Sequence, residues 1–237
     1  MTTVLFRRRS VWLPTPAGAL LILVMLVAAV VLWGRWIGGH LAESDPARGR
    51  TGTGAQLLVV EGWLSESELA AAVAAFRGGR YQRVVASGGP FEDWQEARTF
   101  TSYAERAADY LRRHGLAEAV AVPAPASAQD RSYLSAVVVR DWAEAAGLRI
   151  DAIDVFSSGA HARRTRMVYR MAFGPGVEVG IVAARPSQYD PGRWWTTSVG
   201  AKAVVGEALS VAWTHCCFWP AAPGSFSERW AVPEPGR

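Results

Sequence analysis

The sequence has only two cysteines, and they are adjacent, at Cys216 and Cys217. Neighbouring cysteines rarely bridge each other without strain, and no third cysteine offers another partner. The count therefore excludes a disulfide framework. Together with His215, the pair also falls short of the four ligands of a structural zinc site. We expect both cysteines to be small, buried, apolar side chains near the C-terminus.

Charged residues are absent between Arg9 and Arg35. Because about 20 apolar residues span a bilayer, we predict a basic tail over residues 1–10 and one transmembrane signal anchor over residues 11–37. The three arginines before the span place the N-terminus in the cytoplasm by the positive-inside bias. A cleaved signal peptide is the alternative, but the exit of the span lacks the small residues of a cleavage site.

Beyond this segment the chain lacks an excess of either charge. Residues 1–50 hold six of the 25 Lys and Arg residues and two of the 21 acidic residues, which leaves 19 of each for the remainder. A neutral domain has no basic surface for nucleic acid. We therefore predict no nucleic-acid binding, and we assign the basicity of the chain to its membrane end.

Apolar runs typical of strands alternate with helical patterns from residue 55 onwards. The predicted strands cover residues 55–60, 82–87, 119–122, 150–156 and 177–183. The predicted helices cover residues 66–76, 96–114, 130–146, 161–173 and 198–214. This alternation predicts an α/β fold, a Rossmann-like, mostly parallel sheet with helices on both faces, preceded by one transmembrane helix. We expect the domain at residues 55–219, after a linker at 38–54 and before an irregular tail at 220–237.

Polar side chains follow the first four predicted strands, at the edge where open parallel sheets bind ligands. Glu61 and His161 are the candidate catalytic residues, because a carboxylate and an imidazole suit general acid–base chemistry. The candidate ligand-binding residues are Gly62, Ser87, Gly88, Gly89, Glu96, Asp130, Arg131, Ser132, Ser157, Ser158, Arg163 and Arg164. No spacing demands a metal site. The nucleophile elbow, the Walker pattern and the HExxH motif are all absent.

The segment Ser157–Arg164 is the most informative part of this set. It reads as a small-residue turn between a strand and a helix whose first turn carries His161, Arg163 and Arg164. Cations there oppose the helix dipole, whereas free amides, hydroxyls and guanidinium groups suit a phosphate or a carboxylate. The segment therefore favours an anion site, with arginines that point into water as the alternative.

Several segments, in this order, resemble the YdcF, SanA and ElyC family of envelope proteins. They are Val84–Gly89, Glu96–Ala97, Asp130–Tyr133 and Ser157–Arg164. The resemblance covers roughly residues 55–182 and implies a Rossmann-like domain, with one N-terminal membrane anchor in several members. The chain departs from the family at Glu61–Trp63, where the family often has Leu-Gly, and at Asp130–Tyr133, where the family usually has Asn-Thr.

The resemblance implies a role in peptidoglycan or lipid-carrier metabolism at the bacterial inner membrane, with the domain outside the cytoplasm. We expect the domain to bind an anionic cell-envelope intermediate, either a lipid-linked phosphate or a cell-wall precursor. If the protein is an enzyme, the expected reaction is hydrolysis or transfer of a phosphoester or glycan. One alternative is a noncatalytic scaffold for cell-wall synthesis proteins. The other is a binder of nucleotide or S-adenosylmethionine, and no cofactor follows from the sequence itself.

Two aromatic-rich segments near the C-terminus leave several roles open. Trp194 and Trp195 suit a lid, a sugar-stacking surface, a membrane contact or simple packing. The apolar stretch Val204–Trp219 contains Glu207 and His215, and its uncharged part is too short to span a bilayer. We predict a packed terminal helix there, with a position against the bilayer as the alternative.

Overall fold

The computed structural model describes residues 13–49, 52, 54–91, 99–126, 130–222 and 225. The chain forms two compact units, Met1–Trp36 and Ile37–Arg237. The strands of the second unit are β1 (Leu57–Glu61), β2 (Arg83–Gly88), β3 (Val120–Pro123), β4 (Ala152–Ser158) and β5 (Glu178–Ala184). The helices are α1 (Pro16–Leu41), α2 (Glu66–Gly78), α3 (Tyr103–Arg113), α4 (Arg131–Ala145), α5 (Ala162–Phe173) and α6 (Ser198–Cys216). Two 3₁₀ turns, Gly159–His161 and Pro191–Thr196, precede α5 and α6.

Helix α1 has 26 residues, and its most apolar window has a mean hydropathy of 2.7. It is thus long and apolar enough to cross a membrane, by length and composition. It begins at Pro16, which is well suited to a first helical position because proline has no N–H to leave unsatisfied. It ends at Leu41, beyond the predicted end at residue 37. Residues 11 and 12 of the predicted span lie outside the described residues.

The sheet of the second unit has five strands in the order β3-β2-β1-β4-β5, and every pairing is parallel. All five residues of β1 are buried, as expected for a central strand covered on both faces. The chain leaves β1 first towards β2 and later towards β4, so the order reverses between β1 and β4. The predicted α/β architecture is confirmed, and ligands bind at such a reversal in folds of this class.

Successive residues of β1 pack on opposite faces of the sheet because side chains alternate along a strand. Leu58 and Val60 belong to one apolar core with residues of α2 and α3. Leu57 and Val59 belong to another core with residues of α4 and α5. Helices therefore cover both faces, and the carboxyl edge of the sheet stays open between the two layers.

The predicted linker at residues 38–54 is not a free linker in its described part. Residues 38–41 are helical, and Asp45 forms an antiparallel bridge with Ile181 at the edge of β5. The amide of Ala183 donates to the Ser44 hydroxyl at 2.7 Å, and the amide of Ala47 donates to Asp154 Oδ1 at 2.7 Å. This segment, which we call the edge strap (residues 43–49), covers a strand edge that would otherwise expose unpaired backbone groups.

Helix α3 is shorter than predicted, because it begins at Tyr103 and not at residue 96. The Ser102 hydroxyl accepts a hydrogen bond from the Glu105 amide at 3.2 Å and so provides the N-cap. Residues 92–98, which include the candidate Glu96, lie outside the described residues.

The expectation of two buried, unbonded cysteines is wrong. Cys216 and Cys217 are exposed and are joined to each other by a disulfide. Helix α6 ends at Cys216, so the pair lies where the chain leaves regular helix. The local chain geometry at the end of α6 joins two sulfur atoms that we expected from the sequence to be unbonded.

Candidate functional site

A cavity of about 1020 Å³ lies at the carboxyl ends of the central strands. Ten of the candidate site residues line it, namely Glu61, Ser87, Gly88, Gly89, Asp130, Arg131, Ser132, Ser158, His161 and Arg164. Three others, Gly62, Ser157 and Arg163, are not among its lining residues. Residues separated by as many as 103 positions in sequence, from Glu61 to Arg164, thus meet around one space.

The ends of three strands and one sharp turn place the polar groups. Glu61 is the last residue of β1, and Ser158 is the last residue of the neighbouring β4. After Ser158 the chain turns at Gly159, whose φ of +49° is one that residues with a side chain rarely adopt. This turn brings His161 to the start of α5, over the end of β1.

Glu61 is a buried carboxylate whose oxygen atoms are already hydrogen-bonded. The Ser157 hydroxyl donates to Oε2 at 2.5 Å, and the Thr165 hydroxyl donates to Oε1 at 3.1 Å. Burial favours the neutral acid, but nearby His161 and these hydroxyls outweigh it and lower the pKa of the Glu61 carboxyl. Ser157, predicted as a ligand-binding residue, therefore acts on Glu61 and lies beneath the cavity.

His161 lies between two carboxylates. Its Nδ1 is 2.7 Å from Glu207 Oε1, and its Nε2 is 3.5 Å from Glu61 Oε1. Burial opposes the charged imidazole, yet the two carboxylates raise the pKa of His161 to about 9. The two carboxylates therefore favour the imidazolium form of the ring, and the Arg164 Nη2 also lies 3.2 Å from Nδ1. The edge of the Trp63 indole packs against it, with ring centroids 5.2 Å apart.

The Nε2 atom of His161 is the less satisfied of the two ring nitrogens. Besides Glu61, its polar neighbour is the Ser132 hydroxyl, also at 3.5 Å. Both distances exceed those of well-formed hydrogen bonds. The proton on Nε2 thus remains available to a stronger acceptor in the cavity, such as an oxygen atom of a bound molecule.

Arg164 does not offer its charge freely to the cavity. Its Nε donates to Glu207 Oε2 at 2.9 Å, and its Nη1 lies 3.2 Å from Asp130 Oδ2. The charges and hydrogen bonds of His161 and Arg164 overcome the effect of burial and lower the pKa of Glu207 to about 2. Arg164 therefore holds Glu207 and Asp130 in place, and it lines the cavity as well.

Arg163 contacts the edge strap and not the cavity. Its Nη1 donates to Glu43, and the neighbouring Arg166 donates to Glu43 at 3.3 Å and to Asp45 at 2.5 Å. Consecutive residues of a helix point about 100° apart, so Arg163 and Arg164 contact different surroundings of α5. Of the two arginines expected to bind an anion, Arg164 lines the cavity and Arg163 pairs with Glu43 outside it.

Two acidic residues of the site were missed by sequence reasoning. Glu207 comes from α6, and its signal was a lone carboxylate in an apolar stretch. Glu68 belongs to the capping box of α2, where it accepts from the Ser65 amide at 2.8 Å. It also accepts a hydrogen bond from the Ser158 hydroxyl, which joins α2 to the end of β4.

Gly62 contributes to the site through its size. A side chain there would collide with the backbone of Tyr103 at the start of α3. The Gly62 amide donates to the Ser87 carbonyl at 2.7 Å, so the two loops remain close behind the cavity. Gly62 thus allows close packing and is not among the lining residues of the cavity.

The charges around the cavity are mixed. Among the residues that the structure describes, four carboxylates and three cations line it, namely Glu61, Glu68, Asp130, Glu207, Arg131, His161 and Arg164. No group of three metal-ligating side chains occurs within the described residues. The side chains in the described part of the cleft offer hydrogen bonding and proton transfer, with His161 at the centre.

Fold and site together define an α/β protein with a polar cleft at the switch point of a parallel sheet. Comparison of the sequence with family models finds no match, and neither does comparison with curated proteins.

Proposed function

We propose that this protein is an enzyme of the bacterial cell envelope, anchored in the inner membrane, that hydrolyses or transfers an anionic intermediate. The domain would lie outside the cytoplasm, and the ligand would be a lipid-linked phosphate or a cell-wall precursor. The observation that carries the proposal is His161, an imidazolium whose Nε2 faces a large cavity with no well-formed hydrogen bond. A cation with an available proton suits a phosphate oxygen.

In the proposed reaction, His161 is the general acid. The oxygen of a water molecule attacks phosphorus, the ester P–O bond breaks, and the Nε2 proton passes to the departing oxygen. The proton of the attacking water goes to the phosphate product or to solvent, from which His161 recovers its own proton. The hydroxyl of Ser132, 3.5 Å from Nε2, would bind a phosphate oxygen beside the leaving group.

Glu61 and Glu207 have a supporting role in this mechanism. Both contact His161, at 3.5 and 2.7 Å, and Glu207 is also bonded to Arg164. They keep the imidazole charged and fix the orientation of its plane. Because the oxygens of Glu61 already accept from Ser157 and Thr165, we expect Glu61 to act through His161 and not on the substrate directly.

The decisive experiment uses the full-length protein in detergent with polyprenyl phosphates and cell-wall precursors as probes. Binding is measured by calorimetry, and turnover by release of phosphate. We expect His161→Gln to lower turnover by about 10²-fold or more, as loss of a general acid does. The matched control is His114→Gln, at the end of α3 and outside the cavity, which we expect to behave as wild type. Failure of the wild type to bind or convert any probe would overturn the proposal.

A noncatalytic scaffold is the second candidate, because the ionic groups of the cleft are largely paired with one another. The Glu207 carboxylate, for example, is bonded to both His161 and Arg164. A scaffold predicts that cells carrying His161→Gln remain as resistant to envelope stress as wild-type cells when protein levels match. Loss of resistance with normal protein levels favours the enzyme.

A further inference from the structure

Helix α6 has three distinct faces. Its inner face, which includes Val204, Ala208 and Val211, packs in one apolar cluster with Ile37 and Leu41 from the end of α1. A second face supplies cavity-lining residues, among them Ala203, Glu207 and Ser210.

The third face is exposed and apolar. Val205, Leu209 and Trp213 recur every four residues and so form one stripe along the helix. Their exposed fractions are 46%, 68% and 45%. Trp219, 81% exposed, follows just beyond the end of the helix. We call this surface the α6 stripe.

The α6 stripe contacts the surface of the lipid bilayer, we infer, and so places the rim of the cleft at the membrane interface. Ile37 lies in the same cluster as Val204 and follows Arg35, the first charged residue after the apolar run, by only two positions. At 1.5 Å per residue, the packed end of α1 is within one helical turn of the point where the membrane-spanning sequence ends.

The chemistry of the stripe fits the interface better than it fits water. Tryptophan is enriched at the level of the lipid headgroups, and two are found here, Trp213 in the stripe and Trp219 just beyond the helix. The exposed residues of α6 include one cation, Lys202, and no acidic side chain, so the face does not repel anionic lipids. Exposed apolar patches mark sites where a protein contacts a membrane, another protein or a ligand, and the tryptophans and the lack of exposed acidic side chains on α6 favour the membrane.

The stripe is continuous with the cleft. Trp213 belongs to both, and Val199, 43% exposed, lines the cavity from the first turn of α6. The lipid chain of a lipid-linked substrate would lie along this wall, and its headgroup would enter the cavity. This consequence for the substrate rests on the proposed function, whereas the membrane contact itself rests on α6 and on its packing with the end of α1.

The test uses full-length protein in nanodiscs of phosphatidylcholine and phosphatidylglycerol. A fluorescent nitrobenzoxadiazole label is attached to Leu209→Cys or Val205→Cys in a background with Cys216→Ser and Cys217→Ser. The control site is Glu118→Cys, an exposed position before β3 at the opposite edge of the sheet. Spin-labelled phospholipid then quenches labels that touch the bilayer.

We expect quenching at positions 209 and 205 to be about threefold stronger than at position 118, with a blue-shifted emission, as for other interfacial residues. Equal quenching at all three positions would overturn the inference. Emission that is blue-shifted but insensitive to the lipid quencher would also overturn it, because a second copy or another protein would then cover the stripe. Neither readout requires catalysis, so these outcomes are separable from failure of the proposed function.

Discussion

His161 and Glu207 are 46 residues apart in sequence, yet Nδ1 of the imidazole lies 2.7 Å from a carboxylate oxygen. The contact joins the start of α5 to the middle of α6 and leaves Nε2 for the cavity. It also links the charge state of the cleft to the packing of α6.

The stability of the protein should decrease at alkaline pH because of His161. Its pKa rises from 6.5 to about 9 in the folded state, so the stabilisation is complete below pH 6.5 and is lost as the pH rises through 9. One pKa unit corresponds to about 1.4 kcal/mol, which makes the effect about 3 kcal/mol. Denaturant unfolding at several pH values measures it. His161→Asn should flatten the curve over this range, and an unchanged slope would contradict the assignment.

Replacement of Glu61 by glutamine should lower the pKa of His161. The substitution keeps the shape of the side chain but removes one of the two negative charges beside the ring. NMR titration of the imidazole resonances, assigned by comparison with His161→Asn, measures the change. Glu118→Gln, far from the ring, should leave the titration as in wild type.

Two adjacent arginines should differ in their contribution to stability. Arg164→Met leaves the mostly buried carboxylates of Glu207 and Asp130 without their partner, and we expect a loss on the order of 3 kcal/mol. Arg163→Met breaks a more exposed pair with Glu43 and should cost about 1 kcal/mol or less. Denaturant unfolding compares the two variants. Equal losses would mean that the Arg164 bridges are no stronger than a surface pair.

A side chain at Gly180 should detach the edge strap. The Cβ of Gly180→Ala would collide with the backbone of Ala47 and with the Asp154 carboxylate. We expect faster tryptic cleavage after Arg48, measured by mass spectrometry of timed digests. Gly176→Ala, where the Cβ would meet open space, is the control and should be cleaved at the wild-type rate.

The pH dependence of turnover should distinguish an acid from a base. An imidazolium that donates its proton is active below its pKa, so the rate should fall as the pH rises through about 9. If His161 instead took a proton from the Ser132 hydroxyl, the rate would rise towards that pH. Stopped assays between neutral and strongly alkaline pH, with Ser132→Ala in parallel, separate the two.

Much of the fold followed from local patterns. Buried apolar runs such as β1, and helices begun by caps such as Ser65 and Asp130, depend on residues only a few positions apart. The fully parallel order then follows because each strand is separated from the next by a helix. The start of α3 and the pairing of the edge strap were not predicted from the sequence. A cap determines the first, and contacts with a distant strand determine the second.

The candidate site, like the fold, could be predicted only in part from the sequence. Sequence by itself determined which loops meet, because strand ends of a parallel sheet share one edge, and it singled out Glu61 and His161. Only the tertiary structure decided which charges pair. Glu207 pairs with Arg164, and Glu43 pairs with Arg163, although the partners are 43 and 120 residues apart in sequence. No local pattern encodes such pairings, because a charged side chain finds its partner by distance in space and not along the chain.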